Sequence, residues 1–222
     1  MAGVTKTHLQ LGDNNTAANN FMLTSQAADG TMKLARGNNG TTTQDILTVN
    51  AAGLITMVNG EILTVSKIQS GISQAATSGT SITFTGIPSW AKRITLMLNG
   101  VSKNSTSPIR VRIGSGSVEA TGYLGMALRS LTGGAVGTAS ITAGFDCAGA
   151  DVAASTNHGM IILTLVSANT WSCVLNVGLA DASTMNTTTG TKTTAGALDR
   201  ISLTSVNGTD TFTAGSVNIF YE

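Results

Sequence analysis

Apolar residues recur at every second position along much of this chain, and that period constrains the fold more than any other feature. Trp171, Cys173, Leu175, Val177 and Leu179 keep it without a break. Ile94, Leu96 and Leu98 keep it with Arg93, Thr95 and Met97 on the other side, and Ile109, Val111 and Ile113 alternate with Arg110 and Arg112. Ile82 with Phe84, Ile161 with Leu163 and Leu165, Ile201 with Leu203, and Val217 with Ile219 and Tyr221 follow the same rule. A strand sends successive side chains to opposite faces, so each run predicts a strand with one buried face. Asn99-Gly100 and Asn207-Gly208 are predicted turns between them. Roughly eight strands at such spacing predict a β-sandwich or jelly roll. This head domain is expected over residues 80–222, with its last strand running to the end of the sequence.

The second constraint is the scarcity of charge. Only 10% of the 222 residues are charged and the net charge is +1, where a soluble domain ordinarily carries about a quarter. Solubility must come from hydroxyls and amides, which predicts a neutral, polar surface. No basic cluster interleaved with aromatics is present, so nucleic-acid binding is not expected. No apolar run approaches the ~18 residues of a membrane helix, so membrane insertion is not expected, and the first ten residues lack the apolar core of a secretory signal.

Residues 1–60 read differently. Turn-rich stretches (GDNNTAANN at 12–20, GNNGTTT at 37–43) separate short apolar tracts at 21–23, 32–34, 46–49 and 54–58. These predict short strands joined by tight turns. Such strands bury too little to stand alone, so the segment is expected to borrow a partner. Residues 61–79 read as a connector, either strand or short helix: Ile62, Val65, Ile68 and Ile72 have helical spacing but are β-branched or broken by Gly and Ser.

Chemistry-bearing patterns are sparse. Cys147 and Cys173 read as buried thiols, with a disulfide left open, and with two distant histidines they make no metal site. No cofactor is expected. Asp146 and Asp151 flank a flexible stretch and are the pair a glycosidase would use; two solvated aspartates are the plainer reading. Trp171 is expected in the core, and Trp90, after Ile87-Pro88-Ser89, half-buried at a corner. Long polar loops are expected at residues 131–138, 147–158 and 185–195.

Residues 81–102 (SITFTGIPSWAKRITLMLNGVS) and 198–222 (LDRISLTSVNGTDTFTAGSVNIFYE) resemble the C-terminal domain of bacteriophage fibre and virion-surface proteins. Residues 28–57 look like the stalk or attachment region that precedes such domains. The resemblance is most specific at the Thr-Gly-Ile-Pro-Ser-Trp corner of residues 85–90 and at the turn of residues 207–210. It implies an all-β, non-enzymatic virion structural protein, usually a homotrimer, with an extended N-terminal attachment segment and a jelly-roll-like β-sandwich head on the virion surface. Tail fibres and head fibres or capsid decorations share such domains, and this chain has a short shaft for a tail fibre. Under this reading Thr5, Lys6, His8, Leu9, Leu11, Phe21, Met22 and Leu23 are the expected anchoring residues to other virion proteins, because they are apolar or hydrogen-bonding groups without a local core. The alternative is an adhesin for a host cell-surface glycan, with Thr132, Val136, Asn186, Thr188 and Lys192 as receptor-loop candidates.

Overall fold

In the computed structural model the described residues are 8–11, 21–26, 31–38, 41–50, 55–57 and 68–222. They form strands and connections with no helix among them, and the chain divides into two compact units, Met1–Ser66 and Lys67–Glu222.

The first unit is a five-stranded antiparallel meander of β1 (His8–Leu11), β2 (Phe21–Gln26), β3 (Thr31–Asn38), β4 (Thr41–Val49) and β5 (Ile55–Met57), each strand paired with the next. Among its described side chains only Ala35 is buried, while Leu23 and Met32 are exposed and Leu34 and Leu47 are intermediate.

The second unit opens with two short strands, β6 (Gln69–Ser70) and β7 (Gln74–Ala75), both laid along the last strand of the chain. Of the expected connector, residues 61–67 lie outside the described residues. Then follow β8 (Ser81–Thr85), β9 (Arg93–Lys103), β10 (Ile109–Gly114), β11 (Tyr123–Ser130), β12 (Val136–Ile141) and β13 (Phe145–Asp146). The chain finishes with β14 (Asn157–Ser167), β15 (Thr170–Leu179), β16 (Thr184–Thr193), β17 (Arg200–Ser205) and β18 (Phe212–Tyr221). A small sheet has the order β13-β10-β17-β8; a large one runs β12-β11-β16-β15-β14-β9-β18-β6, with β7 also on β18.

Following the chain, β8 lies in the small sheet, β9 in the large, β10 in the small, β11 and β12 in the large, β13 in the small, β14 to β16 in the large, and β17 in the small. This repeated crossing around one core is the jelly-roll arrangement. Between β13 and β17 the chain lays down the three-stranded meander β14–β15–β16. The large sheet is wider for it, and β18 widens it again beyond β9.

The core lies between the two sheets. Ile94, Leu96, Ile161, Leu163, Trp171 and Leu175 come from the large sheet, and Phe84, Val111, Ile113, Ile201 and Leu203 from the small one. Tyr123 on β11 meets Phe145 on β13 edge to face at 5.0 Å, joining the sheets at one side.

Two expectations about local structure are corrected. Asn99-Gly100 is not a turn: β9 runs straight through it. Gly100 takes φ +64° and Gly215 opposite takes φ +93°, and a Cβ on Gly215 would stand 2.3 Å from the Gly100 carbonyl oxygen. The pairings of β9 with β14 and β18 both shift register here. The left-handed glycine therefore makes a bulge within a strand rather than a reversal between two. The second correction is residues 185–195, which form most of β16 rather than a loop. Asn207-Gly208 is a turn, closed by the Gly208 amide donating to the Ser205 carbonyl at 3.1 Å.

Candidate functional site

Of the expected anchoring residues, Thr5 and Lys6 lie outside the described residues. The others fall on β1 and β2, where antiparallel pairing sets Leu9 opposite Leu23 and Leu11 opposite Phe21. The row continues through Leu34 on β3, Leu47 on β4 and Met57 on β5. Period-two alternation then places Leu9, Leu11, Phe21 and Leu23 on one face of the meander with this row. His8, opposite Thr24, and Met22, opposite Gln10 and Ala35, belong to the other face. Register thus lines Leu9, Leu23, Leu34, Leu47 and Met57 across all five strands, with Met22 and Ala35 in register on the other face. Leu34, Leu47 and Met57 had a sequence signal in their short apolar tracts, but only the register puts them in line with Leu9 and Leu23.

The receptor-loop candidates separate. Thr132 is exposed in the β11–β12 turn and donates from Oγ1 to the Ser183 carbonyl at 3.2 Å. Val136 is exposed but is the first residue of β12. Asn186, Thr188 and Lys192 are buried on the inner side of β16 and are not available to a receptor. The reason is that β16 carries Thr, Ser-sized and amide residues on both faces, so its alternation is invisible in hydropathy. Thr188 Oγ1 donates to the Asp146 carbonyl at 2.6 Å. Lys192 pairs with Glu119, donates to the Thr193 carbonyl at 2.6 Å, and lies 5.7 Å from the centre of the Tyr123 ring.

Ionisable groups at this end of the sandwich are tied into the structure. Tyr123 OH receives the Ile113 amide at 2.8 Å and donates to the Glu119 carbonyl at 2.9 Å. Burial pushes its phenol up to about 12, against the opposing Ile113 hydrogen bond. Burial would raise Glu119, but the Ala195 amide and the Lys192 ammonium outweigh it and hold the carboxyl below its usual range. The two aspartates weighed as a glycosidase pair are each closed by a separate cation. Arg110 grips Asp146 from Nε and Nη2 at 2.6 and 2.7 Å, and Lys103 Nζ reaches Asp151 at 2.6 Å with both side chains buried. Cys147 and Cys173 are buried free thiols whose pKa values burial raises. Among the described residues no cluster of three or more His, Cys, Asp or Glu is placed to hold a metal.

A depression of about 410 Å³ lies beside the β15–β16 turn, lined by Ser130, His158, Gly178, Leu179, Ser183 and Met185 among others. His158 Nδ1 accepts the Gly100 amide at 3.2 Å, which leaves Nε2 as its remaining polar atom. The lining is otherwise small, neutral and largely apolar, suited to contact rather than to acid–base chemistry. Trp171 is in the core, and Trp90 stands 40% exposed at its corner.

No family model matches the chain, and no curated protein matches it. Two solved structures are similar at a low level. One is the infectious bursal disease virus VP2 subviral particle, with a TM-score of 0.17 and 11% identity over 94% of this chain and 53% of that one. The other is the infectious bursal disease virus Gx strain, with a TM-score of 0.16 and 12% identity over 95% of this chain and 46% of that one. The chain spans about half the length of each, and superposition this loose pairs no residue here with a counterpart there.

Proposed function

We propose that this chain is a non-enzymatic structural protein of a bacteriophage particle: a short multi-copy fibre, trimeric in the family it resembles, displaying a jelly-roll head on the virion surface. The observation that carries the reading is the contrast between the two units. The sandwich closes its own core, with Asp146 and Asp151 held by Arg110 and Lys103. The meander ahead of it sets the row Leu9–Leu23–Leu34–Leu47–Met57 on one face, with Leu23 still exposed. A single-layer sheet with such a face needs a second layer from outside its own strands. Further copies of the meander, seated on another virion protein, supply that layer and fasten the head. The near-absence of charge suits a displayed surface that makes few unintended electrostatic contacts.

The test is the double variant Leu9→Lys with Leu23→Lys, expressed during infection. The expected result is a folded head, read from the fluorescence of buried Trp171, that is missing from purified particles. Incorporation at the normal copy number would overturn the proposal. Cryo-electron imaging of wild-type particles carrying a labelled antibody to the head then separates a tail fibre from a capsid fibre or decoration. A glycan array probed with the assembled chain tests the adhesin alternative, for which Thr132 and the neighbouring depression remain as exposed candidates.

A further inference from the structure

The large sheet has two faces, and the small sheet covers one. On the other, cross-strand register aligns Met126, Thr189, Val174, Ile162, Thr95 and Phe220 in one row across six strands. The next row aligns Leu128, Thr187, Asn176, Met160 and Met97. All four methionines of residues 68–222, Met97, Met126, Met160 and Met185, stand on this face. Leu124 is 70% exposed, Met126 56%, Met185 54% and Met160 51%. Along these strands the charged side chain on this face is Arg93, at one corner, opposite Thr164 and paired with Glu222 at 3.5 Å.

A sheet face left to water ordinarily carries polar and charged residues. This one carries methionine, leucine and threonine in register. Exposed apolar side chains gathered on one sheet face mark an interaction site, and methionine is enriched in interfaces where it adapts to the partner's shape. Eight strands at ~4.8 Å spacing and about 25 Å along the strands give a face on the order of 800 Å², the area one partner contributes to a standard interface.

We propose that this face is an interface with a second copy of the same chain. Neutrality selects the occupant. A partner recognised by charge would find only the Arg93–Glu222 corner pair among the described residues of this face, whereas two copies of a chain this poor in charge meet with little like-charge repulsion. The depression by Ser130, His158 and Met185 borders the face at one end and is a receptor for an apolar side chain of the neighbour. The choice of occupant rests on the multi-copy assembly proposed above; the face itself is independent of the meander.

The methionines are built-in reporters, because solvent access controls their conversion to sulfoxide. Purified full-length chain is sized by sedimentation velocity, pulsed with hydrogen peroxide, and read at Met126, Met160 and Met185 by peptide mass spectrometry against free N-acetylmethionine amide. The expected result is an oligomer in which these residues oxidise at least about tenfold more slowly than the free amide. The variant Val174→Lys with Thr189→Lys, both at exposed positions in the central row, should restore rapid oxidation while Trp171 fluorescence stays native. An oligomer whose methionines oxidise at the free rate would overturn this interface and leave assembly through the meander standing. A monomeric wild-type chain would overturn both.

Discussion

The inner and outer faces of the large sheet are built from the same strands and differ in kind. Along β15 the inner positions are Trp171, Cys173, Leu175 and Val177, all buried, and the outer ones are Ser172, Val174, Asn176 and Gly178. Along β14, Ile161 and Leu163 face inward while Met160 and Thr164 face out. The inner face uses branched and aromatic side chains of fixed shape, which fill a defined volume at crystal-like density. The outer face uses flexible methionines and small hydroxyls, which tolerate many partners' shapes. Shape specificity is thus concentrated where the fold is decided, while the exposed side is kept neutral and adaptable.

The sharpest way to break that contrast is to charge the inner side. Lys103→Met leaves Asp151 buried without its cation and should cost about 3–5 kcal/mol in urea unfolding; a loss under about 1 kcal/mol would mean that water reaches the pair. Next, Leu175→Ala opens a cavity between the sheets and should cost about 2–5 kcal/mol, whereas Val174→Thr, one residue away on the outer face, should stay within about 0.5 kcal/mol in dilute monomer. Equal costs for neighbours in the strand would erase the distinction between faces. A third measurement is spectrophotometric titration of Tyr123 in a Tyr221→Phe background. A midpoint near 12 is expected. Because the folded value is raised, the stability it carries is present below the ordinary value of 10.0 and is lost as pH climbs through the folded one. A midpoint at 10 would place the phenol in water.

The smallest expected effect lies at the Glu119–Lys192 pair. Glu119 is depressed on folding, so its contribution is present above its ordinary 4.5 and disappears as pH falls through the folded value. Glu119→Gln should lower stability slightly at neutral pH and flatten the acid limb of the profile. An unchanged acid limb would show that the Ala195 amide and Lys192 do not favour the charged form.

What was legible in the sequence depended on contrast between neighbours. β15 was plain because every second residue is large and apolar, and Trp171 follows from it. β16 was hidden because Asn186 and Thr188, on its buried side, are as polar as Thr187 and Thr189 on its exposed side. Hydropathy alternation cannot register a strand whose inner face is held by hydrogen bonds, such as that from Thr188 to the Asp146 carbonyl. Asn99-Gly100 was misleading for a different reason: φ > 0 glycine serves bulges as well as hairpins, and only the partner strand decides. Leu9, Leu11, Phe21 and Leu23 could be named from composition. Their sharing of one face with Leu34, Leu47 and Met57 is a property of register, which no single tract contains.

The two short strands at the start of the second unit have a mechanical consequence. Residues 68–76 are held to β18 by two-residue ladders and by the amides of Gly71 and Ala76, which donate to the Ile219 and Gly215 carbonyls. Tension arriving from the preceding chain peels these bonds one after another, before it loads the full ladder of β8 against β17. About 30 Å of extended chain is released in the process. Single-molecule pulling should record it as a low-force lengthening ahead of the main rupture, in which Ala76 is the one core side chain to leave.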